Sequence, residues 1–458
     1  MAKAVIQSGM AIDGFRIGEP LSSGGMAALW HVFRDDVTGP AVMKTPFLHS
    51  SSNLSDLVGF TVEQAIMSRL SGTHVPRLIA AGEITEQPYI VMELVPGRSL
   101  EASFAPGFIS LDEVVARGAA IADALADLHR QHVIHLDLKP ANILFRETGE
   151  AVLVDFGLSR HQEHPDLLAE QYRKPMGTVE YMAPEQLAFI RSDPRTDIYA
   201  LGAILYRMAT NVLPFDASGG PSVVRNRLWR DPLPPRKIRP EISPALQETI
   251  LKCLEPLPDR RYATAEEIAF DLRNPDLVEL TERAARTGSA DYATMFQRWR
   301  RAKETMREII ASARRPPPRD PIVLVAVDLR PGLDALRDEV LEAAVSVLAN
   351  LPGARLACLA VMQKSLLGAE DNVDAAGNNV HVERLKALRA FAAPLELPPG
   401  KGTFHLVEAR SLAAGIVDFA RANKVDHIVI GAPSSSGAAS RATLQIALEV
   451  PAAVTIVR

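Results

Sequence analysis

His135-Leu136-Asp137-Leu138-Lys139-Pro140-Ala141-Asn142 is the stretch on which the reading turns. Its companion is Asp155-Phe156-Gly157, which begins thirteen residues beyond Asn142. The apolar run Val152-Leu153-Val154 leads into the second motif and predicts a short buried strand. Together the motifs supply two carboxylates, one amide and one ammonium at fixed spacing. Phosphoryl transfer from a nucleotide needs that set. One carboxylate orients or deprotonates the attacking hydroxyl, and a lysine neutralises the moving phosphate. An asparagine and a second carboxylate hold Mg2+ on the phosphate oxygens. Asp137, Lys139, Asn142 and Asp155 have those chemistries in that order. Asp-Phe-Gly alone carries no weight; the two motifs at this spacing do.

Working outward, the chain resembles the eukaryotic-like protein kinases, specifically the bacterial Ser/Thr branch, over about Phe15 to Leu272. The resemblance implies a bilobal fold over 13–273, with an N-lobe of about 13–92 and a C-lobe of about 95–273. Ala41-Val42-Met43-Lys44 matches the strand whose lysine anchors the nucleotide phosphates. Glu63, in the helical run Phe60 to Leu70, sits where the partner carboxylate belongs; taken alone it reads as a solvated helix carboxylate. Met92-Glu93-Leu94 matches the hinge, so the backbone of Glu93 and Leu94 is expected to hydrogen-bond adenine. Gly177-Thr178 and Ala183-Pro184-Glu185 look like the end of an activation segment. Asp197 matches the residue that braces the catalytic loop, and Arg261 the arginine that pairs with Glu185. Lys139 together with Thr178 resembles Ser/Thr rather than Tyr kinases. By this resemblance Asp137 is the catalytic base, ATP with Mg2+ (or Mn2+) the cofactor pair, and a protein Ser/Thr hydroxyl the acceptor.

Two departures stand out. The phosphate-covering loop of the family reads Gly-x-Gly-x-x-Gly, whereas this chain has Ser22-Ser23-Gly24-Gly25-Met26-Ala27. Glycine there permits a tight turn and close backbone approach to phosphate. Gly24 keeps the most demanding position, and Gly25-Met26 matches the bacterial branch, so weaker or slower nucleotide handling is expected. The second departure is Leu136, where most regulated kinases carry an arginine that reads a phosphate on the activation segment. Leucine cannot do this.

Beyond Arg273-Asn274-Pro275 the composition changes. Asp276 to Ala313 reads as a helix with Phe296, Trp299, Met306, Ile309 and Ile310 near one face and Arg and Lys on the other. It is either a helix packed on a neighbouring domain or a basic membrane- or partner-binding helix. Arg314-Arg315-Pro316-Pro317-Pro318-Arg319 is stiff and extended, so 274–320 forms a helical and Pro-rich linker. After it, strand (Ile322–Val327), helix (Leu333–Leu351), strand (Arg355–Met362), helix (Ser411–Asn423), strand (His427–Ile430) and a last strand (Ala453–Val457) alternate. That alternation predicts a doubly wound parallel sheet with helices on both faces. Asp328 follows the first strand, at the edge where nucleotides bind. Gly431-Ala432-Pro433-Ser434-Ser435-Ser436-Gly437 is a Gly/Ser loop able to cradle phosphate. This part, 321–458, resembles the universal stress protein domain. ATP-binding members carry Gly-x-x-Gly and then Gly-Ser/Thr. Here Gly431 is kept, Ser434 replaces the second glycine, and Ala442-Thr443 stands for the last pair at shortened spacing. Asp328, Gly431, Ser434 and Thr443 are the candidate second nucleotide site, set against a folded domain that binds no ATP. In this family the last strand often pairs between subunits, which implies a homodimer.

The whole chain has 458 residues, 47% hydrophobic and 23% charged, which suits two folded domains and excludes a mostly disordered chain. A net charge of −5 and a pI near 6.2 argue against nucleic-acid binding. Two distant cysteines, Cys253 and Cys358, exclude a disulfide framework and suit a reducing compartment. No window of about 18 apolar residues and no leader pattern appear, so a cytoplasmic protein is expected. The reading is a Ser/Thr protein kinase joined to a regulatory, stress-response or dimerisation domain. Its alternatives are a pseudokinase scaffold or nucleotide-binding signalling module and an atypical small-molecule kinase.

Overall fold

The computed structural model describes residues 6–23, 27–47, 54–83, 88–104, 107–216, 220–288, 290–314, 319–363, 379–398, 400–432 and 437–458. Gly24, Gly25 and Ser434, and the run 315–318 of the polyproline stretch, lie outside these residues.

Alternation along the first strands builds the N-terminal lobe. β1 (Ala11–Ile12), β2 (Phe15–Ser23), β3 (Ala27–Phe33) and β4 (Ala41–Pro46) are followed by helix α1 (Leu54–Met67), β5 (Leu78–Gly82) and β6 (Tyr89–Glu93). They form one antiparallel sheet in the order β1-β2-β3-β4-β6-β5. Successive residues of β4 point to opposite faces. Ala41 and Met43 enter a core with Phe15, Ile17, Val32, Tyr89 and Val91, which leaves Lys44 on the other face, toward α1.

The second lobe is built around α2 (Leu111–Arg130), whose start and polarity are encoded locally. Ser110 accepts a hydrogen bond from the Glu113 N–H, acids fill the first turn, and His129 and Arg130 fill the last. Short hairpins follow: β7 (Val133–Ile134), β8 (Ile143–Phe145), β9 (Ala151–Leu153) and β10 (Arg160–His161). Next come α3 (Leu167–Gln171), α4 (Arg195–Thr210), α5 (Pro235–Ile238), α6 (Pro244–Cys253) and α7 (Ala265–Arg273). α4 is apolar nearly all round and is buried accordingly, against α2 and α6.

The expected single helix from Asp276 to Ala313 is broken. α8 (Glu282–Ala285), α9 (Tyr292–Arg300) and α10 (Ala302–Ser312) replace it, because Thr281 and Asp291 each cap a new start and Gly288 interrupts the run. Its supposed packing face is also wrong: Ile309 is buried, but Phe296, Trp299 and Ile310 are half or more exposed. The end of the segment is clipped to the second lobe. Arg195 donates to the Ser312 carbonyl, and the Arg314 N–H donates to Asp193.

The remainder alternates strictly: β11 (Ile322–Ala326), α11 (Asp334–Ala349), β12 (Arg355–Gln363), α12 (Val380–Ala392), β13 (Gly402–Ala409), α13 (Leu412–Asn423), β14 (His427–Gly431), α14 (Gly437–Glu449) and β15 (Ala453–Val457). The five strands are parallel, in the order β13-β12-β11-β14-β15. Val323 and Val325 pack under α11 and α12, while Ile322 and Leu324 pack under α13 and α14. This is the doubly wound sheet expected from the alternation. Leu57 of α1 joins the first of those two cores, so the N-terminal lobe and the C-terminal sheet share apolar contact.

Candidate active site

The loop between β7 and β8 carries the first motif, and one buried carboxylate shapes it. Asp197, at the start of α4, accepts the backbone N–H groups of His135 and Leu136, each at 2.8 Å, and lies 2.9 Å from His129 Nε2. Leu136 is thereby held at φ +64°, a left-handed conformation that costs a branched residue energy unless its surroundings fix it. Its carbonyl accepts from Gln186 Nε2 at 3.0 Å. A Cβ on Gly177 would stand 3.2 Å from that same oxygen, and Gly177 itself has φ +123°, so both space and backbone require glycine there.

Both oxygens of Asp137 are engaged. Oδ1 accepts the N–H and the hydroxyl of Thr178, both at 2.7 Å, and Oδ2 accepts Lys139 Nζ at 2.8 Å. Lys139 also reaches Thr178 Oγ1 at 3.3 Å. Asn142 donates its side-chain N–H to the Asp137 carbonyl at 3.1 Å, which turns its amide oxygen the other way.

Across the cleft Lys44 Nζ lies 2.6 Å from Glu63 and 3.0 Å from Asp155. Burial alone would push the Lys44 ammonium down, but the two carboxylates outweigh it and hold it above the ordinary lysine range. Burial pushes the Glu63 carboxyl up, against the pull of Lys44. Burial also raises Asp155, but Lys44 outweighs this and holds it below the usual carboxylate range. Asp155 stays anionic and half exposed toward the cleft. Glu185 and Arg261 form a fully buried bidentate pair at 2.7 and 2.9 Å, and Thr196 donates to the same carboxylate.

The hinge backbone is partly engaged within the lobe. The Glu93 N–H donates to the Arg77 carbonyl and the Leu94 N–H to the Pro40 carbonyl, while the Glu93 carboxylate is paired with Arg146. Those two N–H groups are engaged inside the lobe, so a contact of Glu93 or Leu94 with adenine would fall to their carbonyl oxygens.

Residues 15–271 match the protein kinase domain family, over half of the chain. The chain belongs to the protein kinase family. Residues 321–458 match the universal stress protein family. A probable serine/threonine-protein kinase of Clostridium acetobutylicum is 29% identical over 262 residues, covering 57% of this chain and 39% of that protein. A probable serine/threonine-protein kinase of Clostridium perfringens is 33% identical over 214 residues, covering 46% of this chain and 31% of its own length. The serine/threonine-protein kinase PknB of Mycolicibacterium smegmatis is 30% identical over 287 residues, covering 60% and 46%. The chain therefore spans less than half the length of these curated relatives.

Sequence reading missed the contact between the kinase domain's activation segment and the C-terminal domain. α3 lies in that segment, capped by Asp166, whose carboxylate also takes Arg191 at 2.8 Å. Glu170 of α3 pairs with Arg355, at the start of β12, at 2.5 Å, and one oxygen lies 3.2 Å from His405 of β13. Asn423 donates to the Glu170 carbonyl at 3.1 Å, Gln171 donates to the Leu406 carbonyl, and Arg173 to the Ala422 carbonyl. No motif signals these residues, because each is an ordinary polar side chain until the two domains meet. Arg227 was also missed. It is buried and donates to the Val179 carbonyl at 2.5 Å and to the Met182 carbonyl, which supports the strip after Thr178.

In the universal stress protein domain Asp328 and Gly431 lie at the ends of the neighbouring strands β11 and β14, on the edge away from α3. Arg330 holds the Asp328 carboxylate through contacts of 2.6 to 3.0 Å. A Cβ on Gly431 would stand 3.0 Å from Leu336 and 3.2 Å from Val340, so close packing of α11 accounts for this glycine without a phosphate. Thr443 is buried on α14.

Proposed function

We propose that this chain is a Ser/Thr protein kinase that moves the γ-phosphate of ATP to protein hydroxyls and is controlled through its C-terminal domain. The observation that carries the reading is the joint assembly of Asp137–Lys139–Thr178 and Lys44–Glu63–Asp155 across one cleft. Asp137 orients and takes the proton of the acceptor hydroxyl, which replaces the Thr178 hydroxyl at Oδ1. Lys139 stands beside it to meet the transferring phosphate, and Lys44, braced by Glu63, holds the nucleotide phosphates. The donor set fits a hard cation. The amide oxygen of Asn142 and the anionic, half-exposed carboxylate of Asp155 would hold Mg2+, which shields the negative charge of the phosphate oxygens when bound.

Control follows from Leu136. It is buried and offers no charge to a phosphorylated activation segment. Ser159 is spent on the His135 carbonyl and Thr178 on Asp137, so the hydroxyls nearest the loop are already in use. Docking of α3 on the C-terminal domain takes over the ordering task.

Autophosphorylation with Mg2+ and ATP, measured beside Asp137→Asn, tests the activity. The wild type incorporates phosphate and the variant loses at least a hundredfold while still binding ATP. Equal incorporation by both overturns the assignment, and no incorporation by either, with ATP still bound, supports a pseudokinase scaffold.

A further inference from the structure

A cavity of about 320 Å3 lies where three parts of the molecule meet: α1, the start of the activation segment, and the edge of the C-terminal sheet. That volume is within the range of small-molecule sites, about 300–1,000 Å3. Val58, Val62 and Ile66 of α1 form one apolar wall, and Leu385 and Phe404 form the facing wall.

Two of the polar groups at its surface, Arg389 and Arg160, are cationic and under-used. Arg389, on α12, stacks over Phe404 with its guanidinium carbon 5.5 Å from the ring centre. Its Nε is buried without a hydrogen-bond partner among the described residues. Arg160 enters from the activation segment, and its Nε is likewise buried without a partner. The nearest carboxylate oxygen, on Asp166, is 3.8 Å from Arg160 Nε and is committed to Arg191 at 2.8 Å. Burial pushes both guanidinium groups down, which is the signature of cations desolvated without full compensation. His161 and His164 complete the rim as half-buried rings whose burial favours the neutral form.

We propose that this cavity binds an amphipathic monoanion: an apolar chain or ring bearing one carboxylate, sulfonate or phosphate. The body replaces apolar wall-to-wall void, and the head group satisfies the donors of Arg389 and Arg160. Such a ligand touches α1, which carries Glu63, and the activation segment at once. It would therefore stabilise the arrangement in which the two domains are joined. The binding proposal stands independently of phosphoryl transfer, because its readout is binding alone.

The probes are anilinonaphthalenesulfonate, whose fluorescence rises in an apolar site, and decanoate and decanol as competitors. The full chain is used. Saturable fluorescence with micromolar affinity is expected, displaced by decanoate at concentrations at least tenfold below those needed for decanol. Arg389→Met keeps the side chain's length, removes the charge, and should weaken the dye about tenfold, the worth of one charge-assisted hydrogen bond. Ala65→Trp, at an exposed lining position of α1, should fill the mouth and abolish the signal. Absence of saturable fluorescence overturns the proposal. So does fluorescence unchanged in both variants, or displacement by decanol as effective as by decanoate.

Discussion

His161 and His164 stand ring against ring, centroids 4.6 Å apart, where the activation segment turns toward the C-terminal domain. Burial, with His164 adding to it, pulls the His161 imidazole down to about 4 from an ordinary 6.5. The unfolded chain takes up this proton near pH 6.5, and the folded chain only near 4. Folded-state stability contributed by neutral His161 is thus complete above 6.5, falls as the pH drops through that window, and levels off below about 4. Melting temperature recorded from pH 7 to 4 should decline for the wild type and decline less for His161→Gln; parallel curves would contradict this. The contrast with Asp137 explains what could be read beforehand. Asp137, Lys139, Asn142 and Asp155 sit in two contiguous motifs, so their chemistry was visible as spacing. His161, in the two-residue strand β10, carries no motif and becomes half-buried only when the chain folds His132 and His164 against it. The hinge shows the reverse case. Glu93 and Leu94 were located by motif, but where their N–H groups point depends on Arg77 and Pro40, which no local pattern announces.

At the scale of elements, α3 has only five residues, too few to be stable in isolation, so its order comes from what it docks against. Glu170 and Arg355 are both nearly buried, and removing one partner leaves the other charge uncompensated. Arg355→Ala should therefore free α3 by about 2–3 kcal/mol, less than a fully buried pair because some water reaches the site. Limited proteolysis would show faster cleavage within 162–175, with phosphoryl transfer reduced in step. Cleavage unchanged from wild type would mean that α3 is ordered from within the kinase domain. α1, α11 and α13, and the strands from β11 to β15 except β13, were legible from apolar periodicity and length. α12, β13 and α14 were passed over: the run before α12 has no strong period, and β13 mixes Thr403, His405 and Glu408 with its apolar residues. The broken helix after Asn274 was misread because the apolar spacing suggested one continuous stripe. Asp291 and Gly288, which end and restart it, outweigh that stripe.

For the molecule as a whole, the two edges of the parallel sheet have different fates. On one side β13 faces the kinase domain, with α3 beside it and Gln171 on the Leu406 carbonyl. On the other side β15 pairs only with β14 among the described residues, and Ile456 is 44% exposed. An open strand edge accepts a further strand. Sedimentation should find single and paired chains, with Ile456→Lys shifting the balance toward single ones; heavier species growing with concentration would contradict this. The reason lies in stoichiometry. A sheet with two free edges could propagate like a rod, each newcomer offering a fresh end. Here every chain arrives with one end already capped by its own kinase domain. Pairing through β15 would use up that growing end on both copies, so assembly would stop at two, with the two kinase domains on the outer flanks of the pair.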